Sequence, residues 1–210
     1  AADALGTLGP IARDALPALL DSMHDPDPTV GGQVARALGR IGPEALPGLI
    51  ERLQDLEPAL ATRAAEALRH LGPSAAPALA ALIAAAARPD DPLRRALAWA
   101  FEALGREATP ALPVLLALLR EPDLETRRGA AWALGNLGPE AADATAALVE
   151  ALQAEQAPLR VLAARALGNI GTQASAALAP LRAAEHDPDP QVRAAARTAL
   201  HLVEAPVDRR

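Results

Sequence analysis

Two spacings of apolar residues alternate along this chain. The stretch Glu121 to Gly138, EPDLETRRGAAWALGNLG, shows the first. With Arg127 as position zero and about 100° per residue, positions −1, +3, +6, +7 and +10 fall on one side: Thr126, Ala130, Ala133, Leu134 and Leu137. Thr126 is the only polar member, and positions +1, +5 and +8 fall opposite. That pattern predicts an amphipathic helix, here termed helix B. It returns in EQAPLRVLAARALGNIG (Glu155 to Gly171), HDPDPTVGGQVARALGRIG (His24 to Gly42) and HDPDPQVRAAARTALHLV (His186 to Val203). The second spacing is shorter and richer in leucine: ALPALL (Ala15 to Leu20), ALPGLI (Ala45 to Ile50) and ALPVLLALL (Ala111 to Leu119). It predicts a helix A, often entered through Gly-Pro at Pro10, Pro43, Pro73 or Pro139. Pro17, Pro47 and Pro113 either start its regular part or kink it.

Punctuation fixes the period. Asp27-Pro28 and Asp189-Pro190 set an N-cap acceptor before a proline at the first helical position, where the missing N–H costs nothing. Helix B then ends at a glycine, which permits a left-handed C-cap. The closing glycines are Gly9, Gly42, Gly72, Gly105, Gly138 and Gly171, separated by 33, 30, 33, 33 and 33 residues. A fixed period in this range predicts a solenoid of stacked helix pairs. The expected fold is all-α, a right-handed α-solenoid.

The runs Asp187 to Leu200 and Gly42 to Leu53 resemble the HEAT family, specifically the short HEAT-like repeats first named for phycobilisome lyases. The motif is D-P-D-P-x-V-R-x-x-A-A-x-x-A-L, followed by G-P-x-A and L-P-x-L, and the resemblance covers essentially the whole chain. It implies a scaffold in which helix B lines the concave side. It also implies that a loop carboxylate pairs with the arginine opening helix B. Arg94, Arg127, Arg160 and Arg193 fill that slot, whereas Gly31 and Ala61 replace it, so the arginine ladder is expected to be interrupted at the N-terminal end.

On this reading residues 1–204 form one HEAT-like α-solenoid, with a truncated half repeat at 1–10, six full repeats after it, and a C-terminal tail over 205–210. Ala1 to Pro10 aligns without gaps to Ala163 to Thr172, the back half of a helix B. The chain is therefore expected to continue upstream repeats or to be processed. Leu5 and Leu8 are expected to be covered by another copy, another chain or preceding residues, which includes end-to-end self-association.

Composition sharpens the core. Hydrophobic residues make up 51%, yet there are 2 Trp, 1 Phe and no Tyr, so alanine and leucine must fill it. Phe101 stands at the +7 position usually held by leucine and should enlarge that layer. All 20 basic residues are arginine, which reads as the codon usage of a GC-rich, bacterial genome. The absence of cysteine excludes disulfides and leaves the compartment open, with the cytoplasm favoured. No apolar run is long enough to span a membrane; Ala75 to Ala87 is the longest candidate, and it reads as a helix A.

Catalytic chemistry finds no constellation, and no cofactor or metal is expected. His24 and His186 share one loop slot and so repeat with the architecture; His70 and His201 are isolated. No HExxH occurs, which argues against zincins and against the di-iron hydroxylases that the resemblance would otherwise admit. Ser22, His24 and Asp25 crowd one short loop without an oxyanion turn. The glycine pairs end helices rather than follow a strand, so no dinucleotide fingerprint is present.

What remains is the outward face of helix B. Read down the repeats, position +5 is Arg36, Glu66, Trp99, Trp132, Arg165 and Thr198. Position +1 carries Arg95 and Arg128 in the two tryptophan repeats. The outward positions hold Arg36, Arg40, Arg69, Arg95, Arg128 and Arg165 against Glu66 and Glu102, in a chain of net charge −6. The expected function is a non-catalytic protein-binding scaffold. Its partner surface is Trp99, Trp132, Arg95, Arg128, Arg165 and Arg36, which would take an acidic peptide or helix. Two alternatives stand beside it: a nucleic-acid binder, opposed by the net charge, and a chromophore-lyase-type subunit, suggested by the family resemblance alone. Tryptophans that only pack against the neighbouring helix B, with arginine stems laid over them, would be the structural alternative.

Overall fold

The computed structural model describes residues 2–204, apart from the side chains of residues 3, 5 and 10. The tail 205–210 and the side chain of Leu5, both invoked above, lie outside the described residues. Regular structure among the described residues is entirely helical. The chain divides into two compact units, Ala1–Glu107 and Ala108–Arg210.

In the first unit the B helices are α1 (Ala2–Leu8), α3 (Pro28–Ile41), α5 (Pro58–Leu71) and α7 (Asp91–Leu104), with α2 (Leu16–Asp21), α4 (Leu46–Leu53) and α6 (Leu79–Ala85) as A helices. The B helices pack side by side in chain order. On them sits a second layer, α2 against α3 and α4 against α5. Between the layers lie Leu38, Ile41, Leu49, Leu53, Leu68, Leu97 and Phe101. Phe101 is 0% exposed, so the helix B register read from the sequence holds. Leu8 and Ile11 are exposed at the first repeat.

The second unit repeats the scheme. Its A helices are α8 (Leu112–Leu118), α10 (Thr145–Ala151) and α12 (Leu178–Ala184); its B helices are α9 (Leu124–Leu137), α11 (Ala157–Ile170) and α13 (Pro190–Glu204). Here α9, α11 and α13 pack in a row, each backed by its own A helix. Thr126, the one polar residue of the apolar stripe in α9, is buried without strain. Its hydroxyl and its backbone N–H both donate to Asp123 Oδ2, each at 2.8 Å.

The caps follow the sequence. The Asp27 carboxylate accepts from Thr29 N at 2.8 Å and Asp189 from Gln191 N at 2.7 Å. Asp27 is held below the usual carboxylate range by the backbone N–H and hydroxyl of Thr29. The glycine stop differs from expectation. Gly72 has φ 60° and ψ −139°, which is the mirror of the extended region and not the left-handed helical one. Only glycine adopts it readily. The chain steps straight from helix B into a 3-10 turn, Gly72–Ala78, that forms the first part of each A segment. Pro17, Pro47 and Pro113 are the second residues of α2, α4 and α8, so they start the regular helix and do not kink it.

The slot-arginine ladder is interrupted at Gly31 and Ala61, and arginines from the following repeat reach the loops there instead. In the later repeats the slot arginine covers the loop carbonyls five and six residues back. Arg160 Nη1 donates to Ala154 O and Glu155 O, and Arg193 Nη1 to Asp187 O and Pro188 O. Where Ala61 holds the slot, Arg88 of the following loop donates to Asp55 O at 2.7 Å and to Leu56 O at 3.4 Å. Those are the carbonyls that a slot arginine would have reached. Where Gly31 holds the slot, Arg63 of the next helix donates to Met23 O. Its Nε lies 2.3 Å from the point a Gly31 Cβ would occupy. In each case the loop carbonyls ahead of helix B are covered by an arginine, from whichever side one can reach.

Candidate protein-interaction surface

Helix geometry puts +1 and +5 of each B helix away from the A layer, and the structure exposes that face. Position +8, read as outward, is exposed at Arg69 and His201 but faces the next B helix where it holds glycine. A Cβ on Gly39 would lie 2.3 Å from His70 Cβ, and one on Gly135 or Gly168 would lie 3.2 or 2.9 Å from the Cα of Ala166 or Ala199. Glycine at +8 thus lets adjacent B helices approach closely. The outward face is narrower than the sequence implied, centred on +1, +5 and +9.

In the first unit Trp99 is half-buried, and the Arg69 guanidinium carbon lies 5.1 Å from its ring centroid. That is a cation–π distance. Arg69 stands at +8 of α5, so it reaches the ring one helix further on; the sequence reading had not placed it with the tryptophan. Arg36, Arg40 and Arg95 are exposed on the same unit. Arg36 and Arg40 bear on His70, whose imidazole is held below its ordinary pKa by burial first, then by Arg69, Arg36 and Arg40. Glu66, the acid at +5 of α5, is pushed up by burial, against the pull of Arg63 and Arg69.

In the second unit Trp132 is 42% exposed. Its ring walls a small cleft of about 100 Å³ between α9 and α11, shared with Asn136, Leu162, Arg165, Ala166 and Asn169. Asn169 Nδ2 donates to Gly135 O at 3.1 Å and ties the two helices together at that cleft. Neither asparagine was singled out from the sequence; their shared position, +9, was the available signal. Arg165 is exposed and makes no hydrogen bond or ion pair among the described residues. Arg128 is already engaged, since its Nη1 lies 2.6 Å from Glu125 Oε1 on its own helix. Of the proposed surface, Arg36, Arg95 and Trp99 therefore lie on one unit, and Arg128, Trp132 and Arg165 on the other.

Among the described residues no helix is long and apolar enough to cross a membrane, and no group of three His, Cys, Asp or Glu side chains is placed to hold a metal.

A sequence profile described as HEAT repeats matches residues 1–69, 16–102, 79–159 and 112–201. No curated protein matches the chain. Among solved structures, an engineered protein is 25% identical, with a TM-score of 0.74, over 91% of this chain and 99% of its own. A designed armadillo repeat protein in complex with the peptide (KR)4 is 19% identical, with a TM-score of 0.74, over 90% and 99% of the two chains. An archaeal HEAT-like repeats protein from Thermococcus onnurineus NA1 is 17% identical, with a TM-score of 0.63, over 95% and 90%.

Proposed function

The chain belongs to the HEAT-repeat family, and from that premise we propose that it is a non-catalytic scaffold whose B-helix face binds an acidic peptide or helix. The observation that carries this reading is the placement of both tryptophans outward, each beside arginine. Trp132 keeps 42% of its surface exposed at the cleft it shares with Arg165, and Arg69 lies 5.1 Å from the Trp99 ring. A wide ring at a solvated slot gains little by folding and much by docking, and tryptophan and arginine are the residues enriched at interface hot spots. Arginine beside such a ring can hold a carboxylate in bidentate geometry while its plane stacks on the indole.

Charge complementarity sets the class of partner. The designed armadillo neighbour carries a basic peptide, (KR)4. Beside the tryptophans the outward positions carry Arg36 and Arg95 on the first unit and Arg165 on the second, and these fit an acidic ligand.

The test is a fluorescence titration of the chain with a glutamate-rich peptide, with single-stranded and duplex DNA, and with a bilin. The acidic peptide is expected to bind. Trp99→Ala and Trp132→Ala should each weaken it about 30-fold, the size of a true anchor, while the helical circular dichroism signal stays intact. Loss of that signal in the variants would make the tryptophans packing residues and refute the reading. Preference for DNA would move the arginines to phosphate recognition, and preference for the bilin would favour the chromophore-lyase alternative.

A further inference from the structure

A second feature of the first unit lies away from the indole of Trp99. It is a groove of about 660 Å³ along the N-terminal halves of α3, α5 and α7, lined among others by Pro28, Gly32, Pro58, Thr62, Glu66 and Pro92. Its origin is legible in the residues. Position +1 is Gly32 in α3 and Thr62 in α5, where α7 and α9 carry Arg95 and Arg128. A Cβ built on Gly32 would meet nothing within 4 Å, so the floor is open. Pro89 and Asp90, in the loop ahead of α7, form the far wall.

Three helix starts at one groove would ordinarily favour an anion. Here that tendency is cancelled locally. Pro28, Pro58 and Pro92 stand in the first turns and offer no N–H. Of the donors that remain, Thr29 N and Leu93 N are already taken by Asp27 and Asp90. The charged side chains lining the groove are Glu66, Asp90, Asp91 and Arg63. Arg63 spends its guanidinium on Met23 O across Gly31, so it and Arg69 act on Glu66 only through space. Glu66 takes part in no hydrogen bond or ion pair among the described residues, and it is half-buried. A partly desolvated carboxylate without a donor is the group that gains most from an arriving cation.

We propose that this groove is a docking slot for a lysine or arginine side chain presented by an extended segment of a protein partner. The side chain's cationic head would sit at Glu66 and its methylene stem would lie along the proline rings. The volume suits a long side chain and its flanking backbone. The groove opens on the same B-helix face as Trp99, toward the helix N-termini, and its acids Glu66, Asp90 and Asp91 take the opposite charge.

The experiment uses the full chain and a fluorescein-labelled octapeptide of alternating lysine and alanine, with a glutamate–alanine octapeptide as control, read by anisotropy. Saturable binding of the lysine peptide is expected. Glu66→Gln should weaken it roughly 10-fold or more, as for truncating one side of a close charge pair. Gly32→Leu, which fills the floor with a good helix former, should abolish it, and Trp99→Ala should leave it unchanged. Circular dichroism confirms that each variant is folded. Three results would overturn the proposal: no saturable binding of the lysine peptide up to about 1 mM, binding that survives both Gly32→Leu and Glu66→Gln, or loss of lysine-peptide binding on Trp99→Ala. Loss of glutamate-peptide binding on Trp99→Ala bears on the acidic-partner reading alone, so the two proposals fail separately.

Discussion

Gly32 and Gly39 lie on one helix, seven residues apart, and the same substitution should move stability in opposite directions at the two. At Gly39 an alanine Cβ would sit 2.3 Å from His70 Cβ, 3.0 Å from the His70 carbonyl carbon and 3.1 Å from Ala67 O. Carbon atoms pack best at about 3.5–4.0 Å, and two of those neighbours are backbone, which cannot swing aside as a side chain does. Relief requires α3 and α5 to separate. Overpacking of this kind costs about 1–3 kcal/mol, and the helix-propensity gain of about 1 kcal/mol for replacing glycine offsets only part of it. Gly39→Ala should therefore lose up to about 2 kcal/mol. Gly32→Ala meets no atom within 4 Å and keeps only the gain, about 0.5–1 kcal/mol of stabilisation. Urea denaturation followed at 222 nm separates the two, provided the m value is unchanged. Gly39→Ala matching or exceeding Gly32→Ala in midpoint would refute the close helix approach from which position +8 is reassigned.

Asp189→Ala removes the carboxylate that accepts from Gln191 N, and should cost about 1 kcal/mol in the same urea experiment. The Arg160–Asp187 pair gives the acid limb. Its two side chains are 12% and 11% exposed, with Nη2 2.7 Å from Oδ1, and the hydrogen bond from Arg160 is the main reason the Asp187 carboxyl titrates below its ordinary 3.8. A folded-state pKa below the unfolded one adds stability above that unfolded value and loses it as pH falls through the folded value. The unfolding midpoint should therefore drop as pH falls below 3.8, and Asp187→Asn, measured by thermal melts across that range, should flatten the drop. An unchanged slope in the variant would show that other carboxylates carry the acid transition.

Much of the fold was legible because it is local. Periodicity, N-cap aspartates and closing glycines each act within a few residues, so Asp27, Asp189, Gly72 and buried Phe101 could be read one repeat at a time. Where the reading missed, the cause lay between repeats. Gly72 was placed correctly, but its conformation was not, because the torsion depends on the 3-10 turn that follows. Position +8 looked outward on an isolated helical wheel, and at Gly39, Gly135 and Gly168 only a neighbouring B helix makes it an interface.

The same distinction governs the candidate site. The +5 tryptophans follow from a wheel, so Trp99 and Trp132 were found. What stands next to them comes from the adjacent helix: Arg69 over Trp99, and Asn169 and Arg165 beside Trp132. The rerouted arginines make the point most sharply. Ala61 lacks the slot guanidinium, and the sequence of that repeat alone reads as a gap. Arg88 fills the gap from 27 positions later, at a place where no repeat motif calls for arginine. The constraint is satisfied by a contact and not by a column in the repeat. In a stack of near-identical units, then, a residue that breaks the repeat pattern is worth testing for a neighbour that compensates it. Gly32, which opens the Glu66 groove, is one such break. No atom of a neighbouring repeat lies within 4 Å of where its Cβ would be, whereas the breaks at Gly31 and Ala61 are both covered by arginine. That difference is what separates a repaired irregularity from a binding slot.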